Sequence, residues 1–140
     1  MATDSGELVS RYFTRAQLAC PCCGECDLDH RLLAALEELR RKAGVDIEVT
    51  CAYKCGKHNR DQKGVSKSAH LQGRAADIRI PGLSLQQMYD LALSVDAFFN
   101  GGIGVYDTGE LHVDVRVLPA RWARVKGLYL GLGSSGLLEP

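Results

Sequence analysis

The 140-residue chain has no long apolar run, no net charge and few aromatic side chains. Each absence excludes something. A membrane-spanning helix needs about 20 consecutive apolar residues, and no segment approaches that length. The first residues, MATDSGELVSRYF, lack the apolar centre of a secretory signal. The expectation is a cytoplasmic protein as translated, one that meets an extracellular target only through a separate export or lysis route. Lys and Arg number 17, as do Asp and Glu, so no overall field draws the chain toward nucleic acid or an anionic membrane. Aromatics are only 6% of residues, which further weighs against a nucleic-acid surface. We therefore expect no nucleic-acid partner, no membrane partner and a monomer.

Cysteine, by contrast, is abundant. Cys20, Cys22, Cys23, Cys26, Cys51 and Cys55 are present, four of them inside CPCCGEC. An even count suits disulfides, whereas a missing export signal suits reduced or metal-bound thiols. Cys20 and Cys23, or Cys23 and Cys26, have CxxC spacing, and Cys51 with Cys55 could complete a second, structural zinc site. A disulfide tie between the 20–26 loop and the 51–55 segment is equally compatible. So is a mixture of buried and surface thiols.

The length fits one domain. We expect a flexible N-terminal tail over residues 1–10, a folded domain over 11–126 and a loosely ordered tail over 127–140. Thr14 can cap a short helix over RAQL. In DHRLLAALEELRRKAG, Leu32, Leu36, Leu39 and Ala43 recur at helical spacing, with Asp27 or Asp29 as cap and Gly44 as stop. DIEVTCAY alternates as a strand, Ile47, Val49 and Cys51 on one side and Glu48 and Thr50 on the other. A long polar loop covers 54–67. AADIRI is a second strand, with Ala76, Ile78 and Ile80 on the core side and Asp77 opposite. SLQQMYDLALSVDAFF predicts one helix, opened by a Ser84–Gln87 capping box and buried through Met88, Leu91, Val95 and Phe98. GIGVY and ELHVDVRV predict a hairpin through Asp107-Thr108-Gly109. Its second strand puts Leu111, Val113, Val115 and Val117 on the core, and Trp122 is expected to tuck back onto that core. The architecture is α+β: a small, mainly antiparallel sheet with helices on one face.

Chemistry concentrates in SAHLQGRAAD and ELHVDV. Alternation sets Glu110, His112, Asp114 and Arg116 on the face away from the core. If the two strands are neighbours, His70, Asp77 and His112 can converge on the opposite sheet face as a zinc site with one open position. Zinc there makes hydroxide accessible near neutral pH, and a carboxylate that does not bind it can serve as general base. Gly73 would let the backbone fold tightly between His70 and Asp77. Taken singly, each residue has an ordinary reading: a loop histidine, a strand-edge charge, a surface strand residue.

The pattern S-x-H-x-x-G-x-A-x-D, followed by a hairpin ending in H-x-D, resembles the zinc D-Ala-D-Ala carboxypeptidase family, grouped with lysostaphin-type peptidases and the hedgehog signalling domain. Ser68, His70, Gly73, Ala75, Asp77, His112 and Asp114 carry the match, and IEVTCAYKCGKHN is similar to the family's S-G-Y-R-x-x-x-H-N stretch. The resemblance spans about residues 12 to 122 and extends to phage-type peptidoglycan peptidases of this size. It implies a hedgehog-like or D,D-peptidase-like fold and hydrolysis of peptidoglycan stem peptides beside D-amino acids, either as a carboxypeptidase or as an endolysin-type endopeptidase. His70, Asp77 and His112 would hold zinc. Ser68, Tyr53, Lys54 and Arg74 would lie on the substrate side. Two departures stand out. Lys54 occupies the place of an arginine, keeping its charge without the bidentate fork. Gly109 stands where relatives often carry the acid three residues before the final histidine, which makes Glu110 the first choice for general base and Asp114 the second. These departures also allow an alternative: a zinc-containing cell-wall-binding module without turnover.

Overall fold

The computed structural model describes residues 8–20, 26–53 and 73–138. A short helix α1 (Arg15–Leu18) leads to α2 (His30–Ala43) and strand β1 (Glu48–Cys51). Then come β2 (Ala75–Arg79), α3 (Leu85–Leu93), α4 (Asp96–Phe99), β3 (Gly102–Tyr106) and β4 (Leu111–Asp114). Strands β5 (Ala120–Val125) and β6 (Leu128–Leu130) and a helical turn α5 (Leu132–Ser135) follow. The last two fall within the stretch that the sequence presents as a loose tail.

One six-stranded sheet has the order β1-β2-β4-β3-β5-β6. All neighbouring pairs are antiparallel except β3 and β5, which run parallel. The expected α+β class and mainly antiparallel sheet are therefore present. The apolar side of the sheet supplies Ile78, Ile103, Val105, Leu111 and Val113, which form one buried cluster with Leu32, Leu36 and Leu39 of α2, Met88 of α3 and Phe98 of α4. Burying such side chains removes apolar area from water and is the main stabilising term.

Local signals explain most of the boundaries. Asp29 caps α2 by accepting from the Arg31 N–H at 2.8 Å, and Gly44 ends the helix in the left-handed conformation, φ 73°. The Ser84 hydroxyl accepts from Gln87 N while Gln87 accepts from Ser84 N, so the expected box opens α3. The single helix expected over 84–99 is two. Val95 is extended (φ −97°, ψ 112°) and caps α4, breaking the helix after Ser94 while its side chain stays in the core. Gly73 has φ +69°, as a tight turn before Asp77 requires, and its carbonyl accepts from Asp29 N.

The α2 cap yields a prediction. Hydrogen bonds from Arg31 hold the Asp29 carboxyl at about 2, below its usual value of 3.8. A carboxylate whose folded pKa is depressed stabilises above the unfolded pKa and loses that contribution as pH falls through the folded one. Between pH 4 and 2, Asp29→Asn should therefore lose less stability than the wild type in parallel urea titrations. Asp29→Ala, which deletes the cap, should cost about 1 kcal/mol at pH 7.

Candidate active site

The face of the sheet away from the helices carries the polar residues, and strand register arranges them in rows. Asp77 of β2 is paired with His112 of β4, His112 with Gly104 of β3, and Gly104 with Trp122 of β5. Directly opposed residues share a face. The neighbouring row holds Glu110, Tyr106 and, on β5 and β6, Arg124 and Tyr129. The row on the other side holds Ala75, Asp114 and Gly102. Asp77 and His112 are thus neighbours, as the ligand hypothesis requires. His70 and Ser68, like Lys54, Cys23 and Cys55, lie outside the described residues.

His112 is clamped at both nitrogens. Its Nδ1 lies 2.9 Å from Asp77 Oδ1, and its Nε2 lies 2.7 Å from Asp114 Oδ2. The Trp122 ring packs beside the imidazole, with centroids 4.9 Å apart, and Tyr106 stands at 6.3 Å. Asp114 is completely buried. It also accepts from Gly102 N at 2.8 Å and from the Arg116 guanidinium at 2.7 Å, and Arg116 stacks over Trp122. Burial pushes the Asp114 carboxyl up, but the bonds from His112 and Arg116 outweigh it and hold the group well below the usual carboxylate range. An ionised Asp114 accepts only, so His112 Nε2 donates to it.

Two small residues make this packing possible. A Cβ on Gly104 would stand 2.6 Å from the Trp122 indole, and one on Gly102 would collide with the Asp114 carboxylate. Glycine inside a strand often marks such a close approach. Gly104→Ala should displace the pinned indole and destabilise the chain by about 1–3 kcal/mol. Equilibrium unfolding checks this, and wild-type stability would contradict the Trp122 placement.

Glu110 lies on the same face. Its carboxylate meets the hydroxyls of Thr50 and Thr108, the latter at 2.9 Å, and Arg79 Nη2 at 4.0 Å. Its side chain keeps 20% exposure, against none for Asp114. Arg74 stands just before β2, with its Nε 3.7 Å from the Asp29 carboxylate. Tyr53 follows β1 and donates its N–H to Leu18 O, which draws the end of α1 against the end of β1.

Three expectations change. Trp122 does not tuck onto the apolar core. It covers His112, because alternation along β5 sends Ala123 inward instead. Val117 is 81% exposed, since β4 ends at Asp114, whose carboxylate takes the Arg116 N–H and turns the chain. Cys51 leaves the Val49 side. A bulge between Val49, opposite Ile78, and Cys51, opposite Asp77, rotates it onto the polar face. Cys20 is buried, and Cys26 packs against the core, where burial raises its thiol pKa. Among the described residues, no three His, Cys, Asp or Glu side chains cluster as a metal site. No helix among them is long and apolar enough to cross a membrane. Sequence reasoning missed Tyr106, Thr50, Gly102 and Gly104. The alternating glycines of GIGVY were the available signal.

Comparison with known proteins adds two findings. The family model described as Peptidase M15 matches residues 11–114, which include Asp77, Glu110, His112 and Asp114. The probable peptidoglycan L,D-endopeptidase MepK of Haemophilus influenzae is 37% identical over 75 residues, covering 49% of this chain and 39% of the relative. The chain thus spans about two-fifths of that relative's length.

Proposed function

The chain belongs to the peptidase M15 family, and from that premise we propose that it is a zinc-dependent hydrolase of bacterial peptidoglycan, cutting stem-peptide bonds beside D-amino acids. One observation carries this reading: a carboxylate oxygen and an imidazole nitrogen meet at 2.9 Å while a buried carboxylate fixes the other imidazole nitrogen. Both are zinc-donor types, and an outer carboxylate on the distal nitrogen is the usual support of a metal-binding histidine. Asp77 and His112 would hold the metal together with His70, seven positions before Asp77 in the sequence. Bound zinc supplies Lewis acidity, polarising the scissile carbonyl and lowering the pKa of water.

The chain's own groups divide the remaining work. Asp114 is a positioning residue: buried and fully engaged, it sets the His112 tautomer and is badly placed to shuttle protons. Glu110 is the general base. It is partly open, ionisable and one strand step from His112. It takes a proton from the attacking water as the new C–O bond forms, then returns one to the amine as the C–N bond breaks. Ser68, Tyr53, Lys54 and Arg74 are proposed substrate contacts. The similarity to MepK favours an endopeptidase over a carboxypeptidase.

Synthetic stem peptides, linear and crosslinked, test the reading. Incubated with zinc-loaded protein, they should yield new amino and carboxyl termini by liquid chromatography and mass spectrometry, with loss of cleavage in His112→Ala. Binding without cleavage would favour the cell-wall-binding alternative.

A further inference from the structure

Arg124 lies in the row beside Asp77 and His112, on the same face. Its cross-strand neighbours are Tyr106 on β3 and Tyr129 on β6. The guanidinium sits between their rings, 5.9 Å from one centroid and 5.8 Å from the other. Other arginines near the site are committed. Arg116 is bonded to Asp114, Arg79 lies by Glu48 and Glu110, and Arg121 donates to the carbonyls of Gly101 and Phe99. Arg124 is exposed, and among the described residues no carboxylate stands within 4.0 Å of it. The acids nearest in the fold are occupied: Asp107 accepts from Lys126 N, Glu110 from the two threonine hydroxyls, and Asp77 faces His112.

A cation braced by two aromatic rings, with no carboxylate within 4.0 Å among the described residues, is prepared to receive a counter-charge. The rings restrict the side chain before binding, which lowers the entropy cost of a bidentate contact. The distance also suits a peptide. Arg124 is two strands across from β4 and one two-residue step along, about 12 Å between Cα atoms at usual strand spacings. An extended peptide advances about 3.4 Å per residue, so the gap corresponds to about three residues.

We propose that Arg124, held between Tyr106 and Tyr129, is a specificity-determining residue that binds a free carboxylate of the substrate peptide about three residues from the bond cleaved beside Asp77 and His112. This rests on the peptidase reading. The carboxylate belongs either to an acidic side chain or to the peptide C-terminus. The site is open to water, so the contact contributes about tenfold rather than a thousandfold.

The test uses the whole zinc-loaded chain and three stem peptides: the free acid, the C-terminal amide and the side-chain amide. KM and kcat are measured for wild type and Arg124→Gln, and peptide Kd by calorimetry. For wild type, one amidation should raise KM about tenfold at constant kcat, and which one does so identifies the carboxylate. Arg124→Gln should treat that amide and the free acid alike, while Arg124→Lys recovers part of the preference. Equal KM for all three peptides in the wild type, or a preference that survives in Arg124→Gln, overturns the subsite and leaves the peptidase reading standing. If nothing is cleaved, the peptidase reading fails and Kd decides: a carboxylate preference that Arg124→Gln abolishes upholds the subsite, and equal Kd values overturn it.

Discussion

Glu110→Gln should slow hydrolysis of a D-Ala-D-Ala-containing stem peptide by about 10²–10⁴-fold, the usual contribution of a positioned proton-transfer group. Its fold and zinc content should stay unchanged. The carboxylate is one two-residue step from His112 on the same face, about 6–7 Å along the strand. Hydroxyls of Thr50 and Thr108 orient it without burying it. Glutamine keeps an acceptor for one of those hydroxyls, can donate its amide N–H to the other and has a similar shape, so the loss isolates proton transfer. Gly109 has no group to offer, and Asp107 is turned toward Lys126 N. Near-normal turnover by the variant would move the role elsewhere.

Asp114→Ala should fail differently. Removing this carboxylate leaves Gly102 N–H, His112 Nε2 and the Arg116 guanidinium without their acceptor. Buried unsatisfied groups cost about 1–3 kcal/mol each. Arg116 is 40% exposed and can recover solvation, so the total should be about 2–3 kcal/mol. His112 also loses the partner that fixes its tautomer, which should weaken zinc binding about 10–100-fold. Excess zinc should then restore most of the rate in Asp114→Ala and none in Glu110→Gln. Equal recovery in both variants would contradict the division between positioning residue and base.

Much of this is legible in the sequence. Period-two alternation put Asp77 and His112 on the polar face, and the strands proved to be neighbours in register. The caps at Asp29, Gly44 and Ser84 and the Asp107-Thr108-Gly109 turn came from local chemistry and are present. What failed depended on long-range packing. The bulge that turns Cys51 toward Asp77 is set by pairing with β2, a strand distant in sequence. Trp122 is expected on the core, yet Gly104 leaves room for its indole beside His112 and the Arg116 guanidinium stacks on it. Val117 obeyed the alternation but lies beyond the strand's end, where the Asp114 carboxylate captures the next turn. Ser68, His70, Lys54, Cys23 and Cys55 stand on sequence alone.

The most direct measurement is digestion of purified peptidoglycan sacculi by the zinc-loaded chain, read by mass spectrometry of the released fragments. The account predicts fragments with new termini beside D-amino acids, absent when a chelator is added or when His112→Ala replaces the wild type. Intact stem peptides after incubation with a fully zinc-loaded, folded chain would contradict it.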